Sequence, residues 1–375
     1  MEIYLRKLAA ALAEAGYRVR VVTRFAQRQP ADVRGMHTGH EEARSYRDGS
    51  VDIDVIAPTA LLRPLLAPVY RLHFRLPHLA ARLLHAAHGR SLRRALADAD
   101  VVHFSGNGRE LLGFGVAREA ARRGIPLIIT PHTHADAWGD GPIDFDLYRK
   151  AKAVVALTED ERSRLCSAGI PASAVRIVPH GVSVRGGGDG MAFRLRHGLA
   201  DHPVVLFLGR KTPDKGFDLL LEAASHLWRE VPNARIVLAG TEGPVRPLPA
   251  AAADARVVQL GRIDDAERED AYAACDVFCL PSAAEAFGLV VLEAWGYGKA
   301  VVTSDIPTLR ERLRQGGGIT APLHPDALAH ALARVLTNEG LRNVLGQEGR
   351  ALAATATWAA TASVMGEIYE ATRAD

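Results

Sequence analysis

Short apolar runs recur along this chain, and the stretches between them repeat their apolar residues at helical spacing. Runs at 19–23, 51–56, 101–104, 127–130, 153–157 and 175–178 read as strands of a first domain. Those at 204–208, 235–239, 257–260, 277–280, 300–303 and 318–320 read as strands of a second. Apolar runs that alternate with stretches of helical periodicity argue for parallel sheets with helices on both faces. Leu5, Leu8, Ala9 and Leu12 form one face of an opening helix that Gly16 ends, and Thr158 with Glu161 forms a capping box for a later one. The predicted class is α/β, with two doubly wound parallel-sheet domains. The first spans 1–183, a Gly-rich linker 184–192, and the second 193–358. A last helix around 361–372 lies in the tail 359–375. A length of 375 residues and 48% apolar content suit two ordinary cores.

Two strand-end loops carry the chemistry. Val205-Leu-Phe-Leu-Gly209 ends in Arg210-Lys-Thr-Pro-Asp-Lys215-Gly216, a Gly-led loop with separated cations. Val277-Phe-Cys-Leu280 ends in Pro281-Ser-Ala-Ala-Glu285-Ala-Phe-Gly-Leu289, with Glu293 one helical turn further on. Arg and Lys neutralise a diphosphate, one through a fork of donors and the other as a point charge. Carboxylates, which only accept, suit the hydroxyls of a sugar or ribose. The helix that starts at Leu289 offers free backbone N–H groups and a positive dipole end to an anion. Together these parts describe a site for a sugar nucleotide. Ligands of open parallel sheets lie beyond the carboxyl ends of the strands. The loops at 105–109, 131–137, 209–216 and 281–288 are therefore expected to line one interdomain cleft.

These motifs resemble those of the family 4 retaining glycosyltransferases of the GT-B fold. The likeness includes Gly209-Arg210 with Lys215-Gly216, Glu285-x-Phe-Gly-Leu289 with Glu293, Thr130-Pro-His132, Val178-Pro-His-Gly-Val182, and Trp358 with Tyr369 in the tail. It implies two Rossmann-like domains facing a cleft, with the tail helix crossing back onto the first. It also implies transfer of a sugar from a nucleotide-diphosphate donor, with retention at the anomeric carbon and without a metal or other cofactor. In that scheme Arg210 and Lys215 stabilise the departing diphosphate, Glu285 holds donor-sugar hydroxyls and Glu293 the ribose diol. Phe287, Gly288 and Leu289 supply backbone donors, His132 lies against the donor sugar, and Gly209 and Ile263 complete the donor-binding set.

Other features narrow the reading. A net charge of +3 gives no global field for nucleic acid. Cys166, Cys275 and Cys279 follow no ligand or disulfide pattern, as expected of reduced thiols in a cytoplasmic protein. No apolar run approaches the length of a membrane span, and Met1-Glu-Ile-Tyr does not open a signal peptide. His132 and His134 could share a metal as alternating strand residues, but no third ligand accompanies them. Ser105-Gly106-Asn-Gly108 imitates a dinucleotide fingerprint, yet position 111 is Leu where the third glycine belongs. His180-Gly181 reads as a hinge entrance.

Between Leu61 and Leu96 stand Arg63, Arg71, Arg75, Arg82, Arg90, Arg93 and Arg94. They are either solvated arginines on an amphipathic helical pair or an interfacial surface for anionic lipid that reaches a lipid-linked acceptor. A nucleotide-sugar epimerase on the same architecture and a non-catalytic homologue remain as alternatives. The beginning of the chain raises the second of these. An open α/β domain is expected to start with a strand and a Gly-containing turn, whereas Leu5 already belongs to a helix. The missing strand would lie between those at 19–23 and 101–104 and leave both with unpaired groups. The expectation is a start roughly 15–20 residues upstream, the length of one strand plus a loop, and a poorly stable or inactive chain without it.

Overall fold

A computed structural model describes residues 2–25, 41–135, 138–183, 186–243 and 247–374. The chain forms two compact units, Met1–Pro179 with Trp358–Asp375, and His180–Thr357.

In the first unit the described elements run α1 (Glu2–Glu14), β1 (Arg20–Thr23), β2 (Arg44–Asp48), β3 (Val51–Val55), α2 (Leu66–Leu72) and α3 (Pro77–Ala95). They continue with β4 (Val102–Ser105), α4 (Leu112–Arg123), β5 (Leu127–Thr130), α5 (Pro142–Tyr148), β6 (Ala153–Ala156), α6 (Glu159–Ser167) and β7 (Val175–Ile177). Strands β4-β5-β6-β7 make a parallel sheet in that order, and β1-β3-β2 make a second, smaller sheet. β5 and β6 are buried along their whole length, as strands covered on both faces must be. β2 was not foreseen. Its sequence Arg44-Ser-Tyr-Arg-Asp48 has no apolar alternation, and it is held by an antiparallel ladder to β3 and by an Arg47–Asp52 ion pair at 3.0 Å. Among the described residues β1 pairs only with β3, and β4 only with β5. Among the described residues β1 and β4 are each at the edge of their sheet. Val22 of β1 still packs into the core that holds Val102 and Phe104 of β4. Arg20 anchors β1 to Asp98, just before β4, at 2.8 Å.

The second unit runs α7 (Gly190–Arg196), β8 (Val204–Leu208), α8 (Phe217–Glu230), β9 (Arg235–Ala239), β10 (Val257–Leu260), α9 (Asp265–Ala274) and β11 (Val277–Leu280). There follow α10 (Leu289–Gly296), β12 (Ala300–Ser304), α11 (Pro307–Leu313), β13 (Gly318–Ala321), α12 (Pro325–Thr337) and α13 (Glu339–Thr355). Its six strands form one sheet in the order β10-β9-β8-β11-β12-β13, and every pairing is parallel. The amphipathic α8 buries Leu220, Leu221, Ala224 and Leu227 against Val205, Phe207 and Ile236 of the sheet. A last helix, α14 (Trp358–Ala374), belongs to the first unit. Its Trp358, Met365 and Tyr369 share a core with Tyr4, Leu8 and Leu12 of α1.

The strand order reverses between β8 and β11, which is the topological switch point of this sheet. The loops after these two strands are therefore neighbours, and they touch closely. Gly216 ends the first loop at φ +69°, and a Cβ there would collide with the Pro281 carbonyl of the second. Gly216→Ala meets both a conformational penalty and a backbone clash, together about 3 kcal/mol. Gly198 has a similar φ of +62° with open space around it. We expect Gly216→Ala to lower the thermal midpoint markedly more than Gly198→Ala; equal shifts in calorimetry would refute this loop contact.

Candidate functional site

In the second unit Gly209, Arg210, Lys215, Glu285 and the start of α10 lie on the two loops of the switch point. The loop after β8 holds Gly209 and Arg210, makes a short 3₁₀ turn over Pro213–Lys215, and turns into α8 at Gly216. The loop after β11 runs through Ser282 and Glu285 to Gly288, whose φ of +76° starts α10. Ala283 N donates to Asp214 O at 2.9 Å, which laces the two loops together. Lys215 Nζ then lies 2.7 Å from Glu285 Oε1 and 3.4 Å from the Ala284 carbonyl oxygen. Ser282 Oγ donates to the same Glu285 oxygen at 2.9 Å, and Thr308 Oγ1 donates to the Glu285 carbonyl at 3.0 Å. The side chains of Lys215 and Glu285 are only 13% and 11% exposed. Lys215 is thus largely buried although it ends a loop, because it packs against the loop after β11. Arg210 stays 51% exposed, with a loose contact to Asp214 at 3.5 Å.

Further along α10, Glu293 is fixed by a neighbouring helix. Tyr272 Oη of α9 donates to Glu293 Oε2 at 2.8 Å, and Arg268 Nε lies 3.9 Å from the same oxygen. Burial, followed by the Glu293 charge, pushes the Tyr272 phenol well above its usual pKa. Tyr272 therefore stays a donor. The Phe287 side chain is buried between the His180 ring, 4.5 Å between centroids, and the Arg312 guanidinium, 3.8 Å from its ring centre. Burial lowers the Arg312 pKa to about 10. With its ring so packed, Phe287 can offer a ligand only backbone, as can Gly288 and Leu289 at the start of α10. Ile263, partly buried, follows the edge strand β10. Ser282 stands inside the quoted motif but was given no role, and sequence reasoning missed Thr308, Tyr272, Arg268 and Arg312. The others reach the site through packing between elements, and no motif marked them.

Next to Arg210, Lys211 is nearly buried, with 2% side-chain exposure, and bonds Glu242 of the β9 loop at 2.6 Å. Arg210, Lys215 and the start of α10 thus stand on two adjoining loops, and cations and a helix N-terminus are groups that can hold an anion. The carboxylates of Glu285 and Glu293 can accept from hydroxyl groups.

In the first unit His132 lies just beyond β5 rather than on it. Its φ is 54°, so the expected strand alternation of His132 and His134 does not occur. The His132 ring is buried, with Nε2 2.8 Å from Ser105 Oγ and its centroid 4.7 Å from Tyr4 in an edge contact. His134 instead pairs through its backbone with Trp138. Residues 136–137 of the loop expected at 131–137, and 184–185 of the expected linker, lie outside the described residues. Among the described residues no three His, Cys, Asp or Glu side chains are grouped as a metal site. The loop resembling a dinucleotide fingerprint is a local turn, in which the Asn107 side chain accepts from Arg109 N at 3.2 Å.

Comparison with known proteins bears on this geometry. The family described as Glycosyltransferase Family 4 matches residues 1–185, and that described as Glycosyl transferases group 1 matches residues 193–352. The chain is 30% identical to a D-inositol 3-phosphate glycosyltransferase of Kineococcus radiotolerans, over 98% of this chain and 89% of that protein. It is 35% identical to a phosphatidyl-myo-inositol mannosyltransferase of Mycobacterium tuberculosis over 52% of this chain and 53% of that one. Among solved structures it shares its fold with sucrose-phosphate synthase of Thermosynechococcus elongatus. The TM-score there is 0.73 at 23% identity, covering 99% of this chain and 93% of that one. Anabaena HepE, solved in complex with UDP-glucose, gives a TM-score of 0.64 at 18% identity over 76% and 81%. Built from two Rossmann-like domains with the switch-point motifs in the second, the chain belongs to the family 4 glycosyltransferases of the GT-B fold.

Proposed function

We propose that this glycosyltransferase takes its sugar from a nucleoside-diphosphate donor and transfers it with retention of anomeric configuration and without a divalent metal. The observation that carries the reading is the Lys215–Glu285 ion pair at the β8/β11 switch point, flanked by Arg210 and the start of α10. In this reading Arg210 and Lys215 hold the diphosphate and neutralise the charge that grows on it as the sugar leaves. Backbone N–H groups of Phe287, Gly288 and Leu289 assist. Glu285 accepts from donor-sugar hydroxyls, Glu293 accepts from the ribose diol, and Gly209 and Ile263 border the nucleotide. His132 acts on the transferred sugar. Attack comes from the face the diphosphate leaves, and a leaving phosphate oxygen helps to take the acceptor proton. By their names, both relatives act on an inositol that bears phosphate. A phosphorylated inositol is accordingly the first acceptor class to assay.

Changing Arg210 or Lys215 to Ala removes a charge-assisted contact to a developing anion, worth on the order of 2–4 kcal/mol of transition-state stabilisation. Each variant should lose transfer by that amount in kcat/KM, and the parent should work unimpaired in the presence of a chelator. Full activity of Lys215→Ala would defeat the diphosphate assignment. Loss of activity in the chelator, restored by manganese or magnesium, would defeat the metal-free one.

The two carboxylates have separable roles. Glu293→Gln is expected to weaken nucleoside diphosphate and sugar nucleotide alike, whereas Glu285→Gln should weaken only the increment that the sugar adds. Calorimetric titration of both variants with both ligands reads the difference. Equal losses throughout would contradict the division.

We further propose that the protein docks on an anionic membrane surface at the cytoplasmic face through α2, α3 and the turn before them. No acidic residue stands between Asp54 and Asp98, and all seven arginines of this stretch are exposed. Leu61, Phe74, Leu76 and Leu79 are exposed apolar side chains among them. No helix among the described residues is long and apolar enough to cross a membrane. Each basic residue that reaches an anionic leaflet contributes about 1 kcal/mol, screened by salt. The protein should sediment with vesicles containing anionic lipid and be released as salt rises. Equal sedimentation with neutral vesicles would argue for arginines that are merely solvated.

A further inference from the structure

Glu161 is fully buried. A carboxylate at that depth persists only where donors fill its lone pairs. Helix α6 starts with an ordinary cap, in which Thr158 Oγ1 accepts from Glu161 N at 3.1 Å. In a capping box the glutamate side chain turns back to the N–H of the cap residue itself. Here it does not. Glu161 Oε2 accepts from Leu157 N at 2.7 Å, and Oε1 accepts from both Thr133 N and Thr133 Oγ1 at 2.8 Å. Burial pushes this carboxyl above its usual pKa, and these donors pull it back.

The partners of Glu161 sit at the ends of two adjacent parallel strands, Thr133 beyond β5 and Leu157 beyond β6. Thr133 directly follows His132, whose φ of 54° places it in the left-handed region that residues with a Cβ avoid. Such a conformation lasts only where its surroundings over-determine it. The Thr133 N–H belongs to the peptide plane that leaves His132, so anchoring it fixes the ψ of His132. The left-handed turn then brings the ring to Ser105 Oγ and the edge of Tyr4. A carboxylate that served only to cap α6 would have no use for Thr133.

We propose that Glu161 is a positioning residue for sugar transfer, whose buried carboxylate holds His132 in the left-handed conformation that presents its ring to the sugar. This inference rests on the role given to His132 above, and a double-mutant cycle separates the two. Turnover, nucleoside-diphosphate affinity and thermal midpoint are measured for His132→Ala, Glu161→Gln and the pair. The single Gln carbonyl oxygen cannot serve all three donors. Glu161→Gln should lower kcat by roughly 10–100-fold, as misplacement of a reacting group does. It should leave diphosphate affinity unchanged, because Arg210, Lys215 and Glu293 belong to the other unit. The double variant should be no slower than His132→Ala, since the two residues act as one.

Parent-like kcat in Glu161→Gln, or multiplicative losses in the pair, would overturn the inference while leaving His132 in place. Parent-like kcat in His132→Ala would overturn the role of His132 and this inference with it. Should Glu161→Gln fail to fold, Glu161→Asp keeps the charge but draws the carboxylate back by one methylene, so that it cannot hold Thr133 N and Leu157 N together. A fall in kcat of several-fold at an unchanged melting temperature supports the inference, and an unchanged kcat overturns it.

Discussion

The parallel order of the second sheet reverses between β8 and β11, and the candidate site follows from that one feature of topology. Crossovers run outward from this point on both sides of the two central strands. Their loops are left to meet each other. Gly216 lets them approach until backbone touches backbone, and Lys215 and Glu285 meet across the join. Ion pairs on open surface are worth little. This one is largely shielded and is held by Ser282, Thr308 and the Asp214–Ala283 backbone bond, so its geometry is set before any ligand arrives. Under the proposed donor assignment, preorganisation of that kind would let fixed charges stabilise a leaving diphosphate without first being rearranged.

The first unit solves a different problem, that of fixing irregular backbone beyond strand ends. Two fully buried carboxylates do this. Asp144 accepts from Arg109 N at 3.1 Å and Gly141 N at 3.0 Å, tying the loop after β4 to the start of α5. Glu161 ties the end of β5 to that of β6. Desolvation pushes both carboxyls above their usual pKa, and donated backbone hydrogen bonds oppose it. The cost of burying them is offset by backbone N–H groups that would otherwise lack partners.

The parts that the sequence made legible are those in which one residue type has one physical use. β8, β9 and β11 were readable because five- or four-residue apolar runs in a parallel sheet are buried on both faces. Lys215, Glu285 and the turn before α10 were readable as a motif. That Lys215 and Glu285 bond each other was not, because seventy residues separate them and only the sheet order joins them. Polar β2 escaped because its stability lies in backbone pairing rather than in side-chain pattern. Tyr272 and Arg268 looked like ordinary residues of an acidic helix until packing brought them to Glu293. Glu161 was legible only as a cap, since its second partner lies twenty-eight residues earlier.

The central claim is that the switch point of the second sheet holds the donor diphosphate. Determining the structure with a nucleoside diphosphate bound tests it most directly. The account predicts phosphate oxygens within hydrogen-bond distance of Lys215 Nζ, the Arg210 guanidinium and the first N–H groups of α10, with the ribose hydroxyls on Glu293. A diphosphate bound away from these groups, with the Lys215–Glu285 pair untouched, would contradict it.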